Sequence, residues 1–359
     1  MKIAMLLSGG VDSSVALALL KEQGHEVTAF YLKIWLEDEM SYLGSCPWEE
    51  DLSYARAVCE KLDIPLEVVP LQKEYHNRVV SYTIDAVKKG FTPNPDILCN
   101  SQVKFGAFVD TYGQDYDAVA TGHYARSERS KLGNRELFQA PDPIKDQTYF
   151  LSMMRAQQLE KAMFPLGSLQ KSDVRKMAEE FDLPTAKRKD SQGICFLGQI
   201  SFTDFISHHL GTRKGNFVEK ESGTVLGTHE GYYFYTIGQR RGVEVNNGPW
   251  YVVDKDVSSN TVFLSHGFSG KDYSRDHFSV RDVNWIGSDE GSLEKMIKKV
   301  KLRHGPGFYN VKKWEKVEGS DNKQYNIQID QVDRSVTPGQ YAVFYSQENQ
   351  CLGGGVIME

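Results

Sequence analysis

Three short stretches of this 359-residue chain bring together side chains that can do chemistry. The first is Ser8-Gly9-Gly10-Val11-Asp12-Ser13-Ser14, placed between the apolar run Ile3 to Leu7 and a segment in which Val11, Val15, Ala18 and Leu19 recur at helical spacing. A glycine-rich turn between a buried strand and a helix presents bare backbone N–H groups at a helix N-terminus, which is an anion site. Its serine hydroxyls add donors, and Asp12 offers a carboxylate to cap the helix or help hold magnesium. The spacing is neither that of a GxxxxGKS/T phosphate loop nor that of a GxGxxG dinucleotide site. The second stretch is TPNPDILCN, with Asp96 and Cys99 at a D-x-x-C spacing. Its Asn94-Pro95 turn predicts a rigid projecting loop. Read as lying just before a helix, Cys99 would have its thiolate stabilised by the helix N-terminus. The third is Cys195 in DSQGICFLG, where the preceding Lys187-Arg188-Lys189 also favours a thiolate.

Positioning these groups requires an α/β frame. Ile3 to Leu7 reads as a strand buried on both faces, and residues 25–35, 66–71 and 116–122 read as further strands. Leu52, Ala55, Cys59 and Leu62 form a buried helical stripe, and residues 103–113 read as another helix. Alternation of this kind predicts a doubly wound parallel sheet. After Gly211 the pattern changes to short, glycine-punctuated aromatic segments, and the last 80 residues alternate apolar and polar between turn clusters. The expected organisation is an α/β doubly wound N-terminal domain over residues 1–205, a small β-rich central domain over 206–275 and a C-terminal β-barrel over 276–359.

Composition narrows the class. Lys and Arg total 42 against 48 Asp and Glu, a formal charge of −6. The charge is uneven: residues 1–60 hold ten acids and four bases, whereas Lys295 to Lys313 holds seven bases and no acid. Such asymmetry permits a polyanion to lie on one part of an acidic protein, and Lys187 to Lys189 and Arg240-Arg241 add basic clusters. Five cysteines without a CxxC pair or zinc spacing argue against a disulfide scaffold or a zinc site and for a reducing compartment. No apolar run reaches the roughly 20 residues of a membrane span, and the first residues lack a signal-peptide pattern. The expectation is a cytoplasmic protein with no membrane partner.

SGGVDSS after an N-terminal buried strand resembles the PP-loop of the ATP pyrophosphatases, which adenylate an oxygen of their substrate. That resemblance alone leaves thiouridine, lysidine, NAD, GMP and argininosuccinate synthetases open. NPDILCN, KF, ATGHYAR, KDQTYFL, DSQGICFLG, YTIGQRRG and PWYVVDKD follow in order, and together they resemble the bacterial and organellar tRNA-specific 2-thiouridylases over nearly the whole chain. The resemblance implies that Cys99 is the nucleophile, that Cys195 carries a persulfide, and that Asp96, with Asn94 and Pro95, surrounds the target base. It implies ATP contacts at Leu6, Leu7, Ser8, Gly9, Gly10, Val11, Asp12 and Ser13, with Leu32 and Gly122. It implies tRNA contacts at His123, Lys145, Asp146, Gln147, Arg303, His304 and Gln340. A family tyrosine commonly follows the arginine where this chain has His304. ATP and magnesium are the implied cofactors. The implied partners are a tRNA with a wobble uridine (Lys, Glu or Gln acceptors) and a cysteine desulfurase or sulfur relay. Other readings stay open at this point. One is a PP-loop ligase of small molecules, one has Asp96, Cys99 and Cys195 ligating an iron–sulfur cluster, and one is a non-catalytic RNA-binding protein.

Overall fold

The computed structural model describes residues 1–34, 47–190, 201–266, 275–287, 289–319, 323–333 and 336–358. Strand β1 (Lys2–Leu6) feeds through the glycine turn into helix α1 (Val11–Glu22), followed by β2 (Glu26–Lys33), α2 (Pro47–Leu62) and β3 (Leu66–Pro70). Next come β4 (Ala118–Ala120), a hairpin of β5 (Ala125–Arg129) and β6 (Arg135–Gln139), β7 (Ala162–Met163) and helix α3 (Lys171–Glu180). Strands β3, β2, β1, β4 and β7 lie in that order in one sheet, parallel throughout.

The apolar run of β1 is buried on both faces because its alternate side chains enter different cores. Ile3, Met5 and Leu7 pack with Val15, Leu52, Ala55, Cys59 and Val174 from α1, α2 and α3. Ala4 and Leu6 pack with Tyr75, Val79, Val103 and Phe108 from the helices on the other side. This is the doubly wound arrangement that the alternating elements predict.

The central unit is a four-stranded sheet of order β10-β11-β8-β9, with β8 at Gly215–Glu219, β9 at Val225–His229, β10 at Tyr251–Asp256 and β11 at Thr261–Ser265. The last unit contains β12 (Arg275–Trp285), β13 (Lys299–Lys301), β14 (Tyr309–Lys316), β15 (Tyr325–Asp333), β16 (Tyr341–Tyr345) and β17 (Gln350–Ile357). Pairing runs β12-β15-β14-β13-β16-β17, and β12 pairs again with β17, closing six strands into a barrel. The β5–β6 hairpin of the N-terminal region extends that sheet, with Phe138 opposite Gln350 and Leu137 opposite Cys351. One apolar core therefore runs from Leu6 and Phe30 through Leu137 and Tyr149 to Tyr341, Val343 and Cys351.

Candidate active site

The glycine turn is tightly enclosed. Gly9 has φ +75°, and a Cβ there would stand 2.2 Å from the Asp51 carbonyl oxygen of α2, so only glycine fits both the conformation and the space. Gly10 is the N-cap of α1 and makes no side-chain cap bond, leaving the first backbone N–H groups of the helix without one. Ser8 and Ser13 hydroxyls lie 3.1 Å apart, and Ser13 and Ser14 donate to the Gly10 carbonyl at 3.1 and 2.8 Å. Gly122 closes the loop from β4, because a Cβ there would lie 2.8 Å from the Ser13 nitrogen. Leu6, Leu7 and Val11 are buried core residues and Leu32 is half-buried at the end of β2. The first three therefore offer only backbone atoms to the loop's surface.

Charged side chains brace this loop from the far side. Arg188 donates to the Gly9 carbonyl at 2.7 Å and pairs with Asp51. Sequence reading offers Lys187 to Lys189 as a basic cluster open to a polyanion, but Arg188 is turned inward to hold the loop. Asp12 accepts from Tyr124 Oη at 2.7 Å and from Lys171 Nζ at 2.6 Å. Lys171 also pairs with Asp190 at 2.9 Å, and Asp190 takes Lys145 at 2.6 Å and Arg175 as well. Burial alone would raise the Asp190 pKa, yet the Lys145 and Lys171 hydrogen bonds outweigh it and hold the carboxyl well below its ordinary range.

Cys99 sits deeper in its helix than the sequence suggests. The helical run begins at Pro95–Leu98, continues as a π-helical Cys99–Ala107 and ends in Phe108–Thr111. Pro95 occupies the first helical position, so Cys99 lies a turn inside the helix and not just before it. The expected help from the helix N-terminus is correspondingly reduced, since that effect fades within the first turn. The thiol is 1% exposed. Burial pushes its pKa up to about 11, with the Lys104 ammonium lowering it and Asp96 raising it.

The π-helical winding brings in a residue that sequence reading missed. In an α-helix Lys104 would lie about 140° around the axis from Cys99. With i→i+5 bonding, residues five apart return to the same side. Lys104 Nζ donates to Asn100 Oδ1 at 3.0 Å, and its charge acts on both Cys99 and His123. Burial first, and then Lys104, hold the His123 imidazole neutral by pushing its pKa well below the ordinary value. Its Nδ1 lies 2.7 Å from Thr121 Oγ1. A lysine inside the otherwise apolar run Val103, Phe105, Gly106, Ala107 was the available signal. Gly122 thus lies against the serine loop, and His123 after it feels the same Lys104 charge that acts on Cys99.

Family models match the three units in turn: "tRNA methyl transferase HUP domain" over residues 1–199, "tRNA methyl transferase PRC-barrel domain" over 203–266 and "Aminomethyltransferase beta-barrel domain" over 275–357. The tRNA-specific 2-thiouridylase MnmA of Parabacteroides distasonis is 44% identical, covering 100% of this chain and 99% of that protein. Those of Bacteroides thetaiotaomicron and Porphyromonas gingivalis are 44% and 41% identical, each covering 99% of both chains. The chain belongs to the tRNA-specific 2-thiouridylase family. Among solved structures, NMN synthetase from Francisella tularensis is 19% identical over 58% of this chain and 73% of its own, with a TM-score of 0.35.

The residues that the family resemblance ties to RNA fall into two groups. Asn94, Pro95 and Asp96 begin the Cys99 helix, and Gln340 reaches from the barrel to the residues just before them, donating to the Thr92 carbonyl at 2.9 Å. The second group surrounds Asp146. This carboxylate is 1% exposed, pairs with the buried Lys301 at 3.0 Å and accepts from Gln139 Nε2 at 2.8 Å and Thr148 Oγ1 at 2.9 Å. Its charge is engaged inside the protein. Gln147 Oε1 accepts from the Tyr124 N–H at 3.0 Å, and Arg303 pairs with Asp333 at 3.2 Å. His304 Nε2 lies 3.1 Å from the Asp146 carbonyl, and its ring stacks on Phe150 at 4.7 Å. Asn100 donates to the Phe150 carbonyl at 3.1 Å, which links this group to the Cys99 helix. Within the basic Lys295 to Lys313 stretch, Lys299, Lys301, Arg303 and Lys313 all have protein partners. Cys195 lies outside the described residues.

Proposed function

We propose that this protein carries out ATP-dependent 2-thiolation of the wobble uridine of tRNA, releasing AMP and pyrophosphate. The observation that carries the proposal is the glycine-serine turn at the N-terminus of α1, closed by Gly122 of β4 and built to receive an anion, in a chain that also buries a thiol under the influence of the Lys104 charge. Full-length kinship to tRNA-specific 2-thiouridylases supports the choice of substrate.

Carbon 2 of uridine resists substitution because its oxygen leaves poorly. Attack of that oxygen on the α-phosphorus of ATP expels pyrophosphate and converts the oxygen into part of AMP, a good leaving group. The backbone N–H groups of Gly9 to Ser13 and the Ser8 and Ser13 hydroxyls suit the pyrophosphate. Asp12, at the rim of the loop, is the carboxylate suited to magnesium, which would offset phosphate charge. Sulfur then arrives from a persulfide on Cys195. In one route its terminal sulfur bonds to carbon 2 as AMP departs, and Cys99 thiolate attacks the Cys195 sulfur to release the thiocarbonyl. In the other, Cys99 attacks the persulfide first and frees hydrosulfide, which adds to carbon 2. Both leave a Cys99–Cys195 disulfide, which a dithiol reductant must reopen. On this reading Asp96 relays a proton at the base or thiol, and the uridine must leave the anticodon stack to reach them.

On this reading Asn94, His123, Lys145, Gln147, Arg303, His304 and Gln340 meet the tRNA, Asp146 acts through the residues it holds, and the working units are residues 1–205, 206–275 and 276–359. The sulfur donor is a cysteine desulfurase or relay protein, the acceptors are the Lys, Glu and Gln tRNAs, and the compartment is the cytoplasm. For an iron–sulfur cluster on Asp96, Cys99 and Cys195, the described residues offer one thiol, enclosed and with its pKa raised. No step here runs through one. No helix among the described residues is long and apolar enough to cross a membrane.

The deciding experiment incubates tRNA with the protein, ATP, magnesium, cysteine and a desulfurase, and analyses the nucleosides by mass spectrometry. A sulfur-for-oxygen gain on uridine that disappears in both Cys99→Ser and Cys195→Ser is the expected result. Absence of the gain with the unaltered protein, despite verified persulfide supply and reductant, overturns the proposal.

A further inference from the structure

The loop that leads into Asp96 and Cys99 is held by neither its own helix nor its own unit alone. From the central unit, Tyr232 Oη donates to the Lys88 carbonyl at 2.5 Å and Thr92 Oγ1 donates to Thr236 Oγ1 at 3.4 Å. From the barrel, the Pro338 carbonyl accepts from the Thr92 N–H at 2.9 Å. Gln340 Nε2 donates to the Thr92 carbonyl at 2.9 Å and lies 3.4 Å from that of Pro93.

The turn that presents Gln340 is itself fixed. Gly339 N–H donates to the Ile357 carbonyl at 2.9 Å, and Ile357 N–H donates back to the Gln340 carbonyl at 2.8 Å, tying the turn to the end of β17. Gly339 has φ +91°, and a Cβ there would stand 2.8 Å from both Phe91 Cβ and the Thr92 nitrogen, so the turn lies directly on the loop. The backbone N–H and C=O of Thr92 are thereby both engaged by the barrel, while Pro93 and Pro95 stiffen the chain that follows. Asn94, between those prolines, makes no side-chain cap bond to hold the loop from within.

We propose that the Pro338–Gly339–Gln340 turn is a clamp on the Thr92–Asp96 loop, and that Gln340 is a positioning residue for the chemistry at Cys99 in addition to any contact with RNA. The carboxamide spends its nitrogen on the loop carbonyls, which leaves its oxygen as the group able to face a nucleotide. RNA seated on the barrel and the loop that surrounds the target base would then share one side chain. In its kinetic part the idea rests on the thiolation reading. Its structural part does not.

The test replaces Gln340 by Met, which keeps length and removes both donors, and separately Gly339 by Val, which drives a side chain into the loop. Hydrogen exchange of the full-length protein without RNA reads the segment 91–98. Both variants should exchange roughly tenfold faster there, with unchanged exchange in β1 and α1. Single-turnover thiolation at saturating tRNA should also slow roughly tenfold or more in Gln340→Met, since small misplacements near a reacting centre are expensive. If Gln340→Met exchanges like the parent and loses only tRNA affinity, Gln340 is an RNA contact alone and the clamp is wrong. If the parent makes no 2-thiouridine, the thiolation reading fails, and the exchange comparison still decides the clamp.

Discussion

A thiol attacks as its thiolate, and Cys99 is held in the opposite state, enclosed with its pKa pushed up to about 11. The Lys104 ammonium is the cation the helix winding places to ease that deprotonation, and His123, held neutral, supplies no second positive charge to help it. Alkylation of Cys99, followed by mass spectrometry of its peptide, should therefore keep accelerating as pH rises toward 11, beyond the ordinary thiol midpoint of about 8.5. Lys104→Met should slow labelling at pH 8 by roughly tenfold, the effect of a shift of one pKa unit, and Lys104→Arg should recover most of it. A plateau by pH 9, or indifference to Lys104→Met, would dismiss Lys104 from this role. The stability consequence has a definite sign. With the folded pKa above the unfolded one, the folded chain binds more protons between about 8.5 and about 11, so the contribution of Cys99 to stability is full below that window and declines through it.

Elements fix what single residues cannot, and Gly9 marks the place where two of them meet. At φ +75° with the Asp51 carbonyl 2.2 Å from any added Cβ, Gly9→Ala combines backbone strain of about 1–3 kcal/mol with a clash against rigid α2. Gly24 has the same φ of +75° but open space around it, so Gly24→Ala reports strain alone. Gly9→Ala should lower the melting temperature more than Gly24→Ala and weaken ATP binding at least about tenfold, whereas Gly24→Ala should leave ATP binding intact. Equal behaviour of the two variants in calorimetry would refute this account of the loop. The glycine turn was legible in the sequence because a buried run, a turn and a helical stripe are local patterns with different periods. The winding of Cys99–Ala107 was not, because nine residues bonded i→i+5 leave an apolar pattern that an α-helix also fits. The hairpin of β5 and β6 was also hidden. It is short and polar, and the strand it pairs with, β17, lies at the other end of the chain.

On the scale of the whole molecule, the barrel and the N-terminal unit behave as one body because they share a core and a buried charge pair. Lys301 and Asp146 side chains are 1% and 0% exposed with 3.0 Å between Nζ and Oδ2, and they come from different units. Such a pair adds little net stability compared with an apolar isostere, but removing one partner leaves an uncompensated charge that costs about 3–5 kcal/mol. Sequence reading took the basic run around Lys301 as a surface for phosphates and Asp146 as an RNA contact, since a pairing between residues so far apart leaves no trace in either segment. Lys301→Met should therefore destabilise the protein by about 3–5 kcal/mol, and Lys301→Met combined with Asp146→Asn should recover part of that loss, because both buried charges are then gone while an amide oxygen still accepts from Gln139 and Thr148. The location of the pair adds a second expectation. Strain at this junction loosens the barrel from the parallel-sheet unit, so calorimetry of Lys301→Met should show the single transition broaden or split, and the double variant should sharpen it again. A Lys301→Met protein that melts like its parent would mean that water reaches Asp146 and that the apolar core alone unites the two units.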